Sequence, residues 1–190
     1  MRPPLGRILL LSAAALILTA CDPPSATKGG RPAADARDLA ADFYSAIDAE
    51  QSGYFIPTAP VSIDGWTFHH LFMGQKGDFA VWEGGSRSGV FGPVMIEFED
   101  TNSPMVQTEL GESRSGRDRI LPLRYRVTDS RVVFEGRSRT LGPVRFEGDL
   151  DAGRLAESMR NLGDETPVLS GTLTVRGRGY PVRMRWWAGD

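Results

Sequence analysis

Apolar and polar positions follow two different periods along this chain. Between residues 35 and 52, Leu39, Phe43, Ala46 and Ile47 fall at i, i+4, i+7 and i+8. Asp35 is placed to cap the first turn and Ser52-Gly53 to end it, so the spacing predicts one short amphipathic helix. Beyond it the period drops to two. Val61-Ser62-Ile63 and Trp66-Thr67-Phe68 flank Asp64-Gly65, a hairpin signal because both turn residues tolerate positive φ. Alternation then continues through residues 79–82 (Phe79 to Trp82), through Val94, Ile96 and Phe98 against Glu97 and Glu99, and through Leu123, Tyr125 and Val127 against Arg124 and Arg126. Val132 and Phe134 come next, and Val144, Phe146 and Leu150 alternate with Arg145, Glu147 and Asp149. Each such segment has one dry face and one wet face.

A second helix interrupts the strands. Asp151 is its cap, Leu155, Met159 and Leu162 share one side, and Gly163 stops it. The chain closes on a hairpin, residues 168–175 and 180–187 around Gly177-Arg178-Gly179. The pattern predicts a mainly β domain of about eight or nine strands, one N-terminal helix and one helix in the C-terminal half. Its antiparallel sheet is expected to close as a barrel or a sandwich, because closure removes exposed edges.

A different pattern precedes the domain. Residues 8–18 form an apolar run dominated by Leu, Ile and Ala behind Arg2 and Arg7, and Leu18-Thr19-Ala20-Cys21 closes it. Eleven residues in a helix span about 16 Å, half of a hydrocarbon core, so the run is too short to cross and stay. A positive n-region, an apolar h-region and small residues at the cut site are the order of a secretory signal. The four closing residues resemble the lipobox of bacterial lipoproteins. The resemblance implies cleavage before Cys21, lipidation of that residue by a diacylglyceryl group and usually an amide-linked chain, and a body facing the periplasm from a membrane of the cell envelope. Cys21 is the single cysteine of the chain, so no disulfide framework competes for it. Asp22 resembles an inner-membrane retention signal of enteric bacteria, and other groups read that position differently. Residues 1–20 are thus expected to be a leader, 21–34 a lipidated Pro-, Gly-, Ala- and Ser-rich tether, and 35–190 a single domain.

Loss of Arg2 and Arg7 with the leader takes the formal charge from −2 to −4, which suggests neither a nucleic-acid binder nor a strongly acidic chain. Charge is nonetheless uneven. Of 22 basic residues all but Lys28 and Lys76 are arginine, and the segment from Arg114 to Arg145 holds nine arginines against Asp118, Asp129 and Glu135. Arg124, Arg126, Arg183 and Arg185 are candidates for an anion- or partner-binding face, since guanidinium forks suit phosphate and carboxylate. The same four have a structural explanation in cross-strand pairs with Glu97, Glu99, Glu135 or Glu147.

The final hairpin carries a second resemblance. Gly171-Thr172-Leu173-Thr174-Val175-Arg176-Gly177 followed by Pro181-Val182-Arg183-Met184 resembles a stretch of the YceI-like proteins, secreted lipocalin-like barrels. It covers about 14 residues, and that family continues with further strands where this chain ends six residues after Met184. It implies a β-barrel holding a long apolar, isoprenoid-type ligand. Trp66, Phe68, Phe72 and Trp82, part of an aromatic-rich third of the domain, are the candidate lining of such a pocket; filling the core is their default role.

No catalytic constellation stands out. Ser86, Ser88, Ser113 and Ser115 lie in loops without a G-x-S-x-G elbow, and the one S-x-x-K is in the tether. His69 and His70, the two histidines, are neighbours on a strand and are expected to face opposite ways, unable to share a metal. Glu97, Glu99 and Asp100 read as a solvated outer face rather than an acid–base pair. The expectation is a non-enzymatic binding module without metal or cofactor, taking an apolar or lipid-like ligand or docking on an envelope protein through its arginines.

Overall fold

A computed structural model describes residues 42–108 and 111–189. The leader, Cys21, the tether and the start of the expected first helix lie outside them. Among the described residues there are thirteen strands and two helices. Ten strands run in the order β1-β9-β10-β11-β12-β13-β2-β4-β5-β8, with β3 attached to β4, and curl into a half-barrel; β6 (Met105–Thr108) and β7 (Gly111–Arg114) make a separate hairpin.

The domain is mainly β, but the sheet is neither purely antiparallel nor closed. β1 (Phe43–Ala46) lies parallel to β9 (Pro122–Thr128), and β1 and β8 (Arg117–Ile120) remain edges. β1 corrects the expectation of a helix across residues 35–52. Phe43 packs against Tyr125 and Trp82, and Tyr44 turns outward beneath Arg126. Pairing along β9 thus overrides a helical spacing that rested on four residues.

A helix forms where the alternation suggested a strand. Residues 79–82, expected as strand, belong to α1 (Lys76–Glu83), where Phe79 and Trp82 are buried one turn apart and Val81 stays exposed. Its start is capped from within the first turn: Asp78 Oδ2 accepts from Gln75 N, and Asp78 N donates to the Gln75 carbonyl, both at 2.8 Å. Phe79 meets Tyr125 edge to face with ring centroids 5.5 Å apart.

Antiparallel pairing links β9, β10 (Arg131–Ser138), β11 (Gly142–Leu150), β12 (Pro167–Val175) and β13 (Arg178–Trp187). Positive φ at Arg176 and Gly177 makes the tight turn between β12 and β13, one residue earlier than the glycine spacing suggested. Asp64 and Gly65 make the turn between β3 (Ser62–Ile63) and β4 (Trp66–Met73) as expected, again with both φ values positive. α2 (Ala152–Arg160) is capped by Asp151, whose Oδ1 accepts from Arg154 N at 3.0 Å, and buries Leu155; Leu162 falls beyond the helix and is exposed.

The concave side of the sheet is packed with side chains. Phe55 from β2 (Gly53–Pro57), Phe68, Leu71, Phe98, Phe134, Phe146, Leu173 and Met184 are each at most 2% exposed and belong to one cluster. Fully burying one such side chain stabilises the fold by about 1.5–3 kcal/mol.

Candidate functional site

The chemistry gathers on the convex side, where β4, β5 (Val94–Asp100) and β8 run side by side. Strict alternation fails in β4. Phe68 pairs with Phe98 while His70 pairs with Glu97, so His69 is one extra residue, a β-bulge. The bulge corrects two expectations. Phe68, Leu71 and Met73 face the core whereas His70 and Phe72 face outward, and His69 and His70 turn to the same side.

The two imidazoles meet Nδ1 to Nδ1 at 2.7 Å, one ring nitrogen donating to the other. His69 Nδ1 lies 4.0 Å from Glu97 Oε1, and its Nε2 lies 3.7 Å from Glu99 Oε1. One donor atom each from His69, His70 and Glu97 falls within 4.8 Å of the others, a set able to hold a metal. Burial, then His69 and the guanidiniums of Arg119 and Arg117, push His70 from 6.5 down to about 3, so its imidazole is neutral. Tyr54 packs edge-on to that ring at 4.9 Å.

Glu97 is not solvated. Its side chain is 2% exposed, with Arg117 Nη1 3.3 Å from Oε1 and Arg119 Nε 3.2 Å from Oε2. In-register pairing of Glu97 with Arg119 and of Glu99 with Arg117 places these charges opposite each other across the ladder. A buried carboxylate needs such partners, because unpaired it would carry a desolvation cost of several kcal/mol.

Beyond this cluster the ladder stops. β8 approaches the C-terminal end of β10 without pairing to it. The seam is held by side chains: Asp118 and Ser138 hydrogen-bond across it, and a Cβ added to Gly136 would lie 2.6 Å from Ile120 Cγ2. On the convex side the seam forms an open groove of about 470 Å³, flanked by Arg117 and Arg119 from β8 and by Arg137 and Arg139 from the β10 end. Val90, Leu121 and Leu123 add apolar wall and Glu97 reaches its floor. Leu123 was expected to share a dry face with Tyr125, but an irregularity in the pairing of β9 with β10 turns it out, and it is 63% exposed. Among the described residues the guanidiniums of Arg137 and Arg139 have no ion-pair or hydrogen-bond partner.

The other sequence candidates are dispersed. Phe68 lies in the core, Trp66 at its margin and Trp82 on α1, and Phe72 packs outside between Tyr54 and Phe91, so these four do not line one space. Arg124 binds Asp42 at 2.9 Å and Arg126 stacks over Tyr44. Arg183 and Arg185 stand on β13, four strands away, which is roughly 19 Å measured along the curled sheet, so the four form no single face. The expected partners are otherwise engaged: Glu135 by Arg145, and Glu147 by Arg131 and Arg145. Arg137 and Arg139 lie in the arginine-rich segment from Arg114 to Arg145, but no local signal in the sequence sets them apart from its other arginines. No helix among the described residues is long and apolar enough to cross a membrane. Comparison with protein-family models, with curated proteins and with solved structures returns no match.

Proposed function

We propose that this protein is a lipid-anchored module of the bacterial cell envelope that binds an anionic, partly apolar ligand in the groove between β8 and β10. The observation that carries the reading is the pair of guanidiniums, Arg137 and Arg139, without a partner among the described residues and facing Arg117 and Arg119 across a gap in the ladder. Arginine forks bind phosphate or carboxylate through parallel N–H groups, and two of the four are already occupied by Glu97 and Glu99, which leaves the β10 pair as the receiving side. Leu121, Leu123 and Val90 offer an acyl or isoprenoid segment a surface beside the charge. A ligand there lies on the outside of the half-barrel, unlike the interior ligand that the YceI-like resemblance implies. Lipidation at Cys21 and a periplasmic orientation complete the reading and rest on Leu18-Thr19-Ala20-Cys21.

The full-length protein in nonionic detergent, titrated with hexyl phosphate and with inorganic phosphate, tests the groove. Both are expected to bind, hexyl phosphate more tightly, with affinity falling as salt rises and lost in the Arg137→Gln/Arg139→Gln double variant. Unchanged binding in that variant, or none in the wild type, refutes it. Labelling of the wild type but not of Cys21→Ser with an alkyne palmitate tests the anchor.

A further inference from the structure

We propose that His69, His70 and Glu97 form a binding site for a divalent transition-metal ion, with Zn2+ the best match. The first argument is conformational. Adjacent residues on a regular strand point to opposite faces, so only the bulge between Phe68 and His70 brings both imidazoles to one side. Bulges of this kind re-aim side chains next to functional sites. The cost is one residue left out of the ladder, and the extra side chain is not buried in return: His69 is 43% exposed on its side chain.

The second argument is geometric. At Zn–N and Zn–O bond lengths of about 2.0–2.2 Å, tetrahedral donors stand roughly 3.3 Å apart. The Nδ1 atoms are 2.7 Å apart, and His69 Nδ1 is 4.0 Å from Glu97 Oε1. Both separations differ from that value by about 0.6–0.7 Å, an adjustment within reach of the half-exposed His69 ring, and the three donor atoms lie within 4.8 Å of one another. Two imidazole nitrogens and one carboxylate oxygen are the donor set of open, three-ligand sites.

The third argument concerns support. Arg117 and Arg119 each hold one oxygen of Glu97, fixing the carboxylate while leaving a lone pair on each oxygen for a metal. Tyr54 fixes the plane of His70. Charge does not forbid a cation, because Glu97 and Glu99 balance Arg117 and Arg119, and both histidines bind metal in their neutral form. The partial exposure of His69 gives the ion its way in. Glu97 borders both sites, but the anion-binding reading rests on Arg137 and Arg139 and needs no metal, so the two are tested by different variants.

The test uses untagged, full-length protein in nonionic detergent, stripped with EDTA and desalted. Calorimetric titration with Zn2+ is expected to show one ion per chain. Titration with Co2+ is expected to give the intense visible absorption of a four- or five-coordinate centre. His69→Ala changes an exposed side chain and so tests the site without disturbing the core, and His70→Gln removes the second nitrogen ligand. Each is expected to weaken Zn2+ binding at least tenfold, about the lower end of the loss typical of outer-shell partners, with circular dichroism showing the fold retained. Absence of saturable Zn2+ uptake, the faint spectrum of hexaaqua-like Co2+, or equal affinity in a folded His69→Ala variant would overturn the proposal.

Discussion

Tyr125 on β9 donates its phenolic hydrogen bond to Glu83 Oε1 on α1 at 2.9 Å, and this bond fastens the helix over the first two strands of the sheet. Burial, reinforced by the bond to Glu83 and its negative charge, holds the phenol well above its ordinary value of 10.0. The unfolded chain therefore releases this proton first. Stability supplied by Tyr125 is complete below pH 10 and declines as pH rises beyond it. Tyr125→Phe is expected to cost about 1.5–3 kcal/mol at neutral pH, the range for hydrogen bonds to charged groups. It should also flatten the alkaline limb of stability against pH, followed by urea denaturation at stepped pH.

Gly171 and Gly148 sit opposite each other on β12 and β11. A Cβ at Gly171 would lie 2.3 Å from the Glu147 carbonyl oxygen and 2.5 Å from Gly148 Cα, and neither backbone atom can swing away. Gly171→Ala is expected to destabilise by about 3 kcal/mol, the upper part of the overpacking range. Gly179→Ala meets only the Thr172 methyl at 3.2 Å and should cost under about 1 kcal/mol. Thermal midpoints of the two variants, measured side by side, decide this.

Glu147 lies between Arg145 and Arg131 on the convex face. The Arg145 hydrogen bond, followed by its charge and by Arg131, holds the carboxyl below the usual 4.5. A depressed folded value means stability present above pH 4.5 and lost as pH falls below it. The face is open to water, so Glu147→Gln is expected to cost less than about 1 kcal/mol at pH 7 and nothing measurable in 1 M salt. Acid unfolding at low and high ionic strength separates the two.

Ser138 accepts hydrogen bonds from the backbone N–H groups of Thr140, at 3.1 Å, and Leu141, at 2.6 Å, while also engaging Asp118 across the seam. Removal of the hydroxyl strands a buried donor. Ser138→Ala is expected to cost about 2 kcal/mol, and amide exchange at Leu141 should quicken more than exchange at Leu173.

Where local chemistry decides the backbone, the sequence reads plainly. Asp64-Gly65, the final hairpin and the Asp151-capped helix all form, because positive φ at a turn and a side-chain acceptor at a helix start are properties of a few adjacent residues. The failures share a different cause. An extra residue at His69 and an irregular pairing at Leu123 shift the alternation by one, and nothing in the hydrophobic pattern marks where that occurs. Phe43 became strand because β9 offered it an edge, a contact some eighty residues away in the chain. α1 had one visible signal, Gln75 and Asp78 at capping-box spacing, which the short apolar run behind it masked. The candidate site was correspondingly obscure. Glu97 carries the alternation of a wet face, and only three-dimensional pairing with β8 buries it beneath two arginines.

β1 is the rim of the sheet on the side where the chain enters, four residues lying alongside a single neighbour. A pull transmitted along the chain ahead of β1 therefore lands on an edge strand. Its departure would bare Tyr125 and Trp82 yet leave the ladder from β9 round to β8 undisturbed. Such a body sheds tension by letting go at one margin, and the strand can dock again without the rest having to refold.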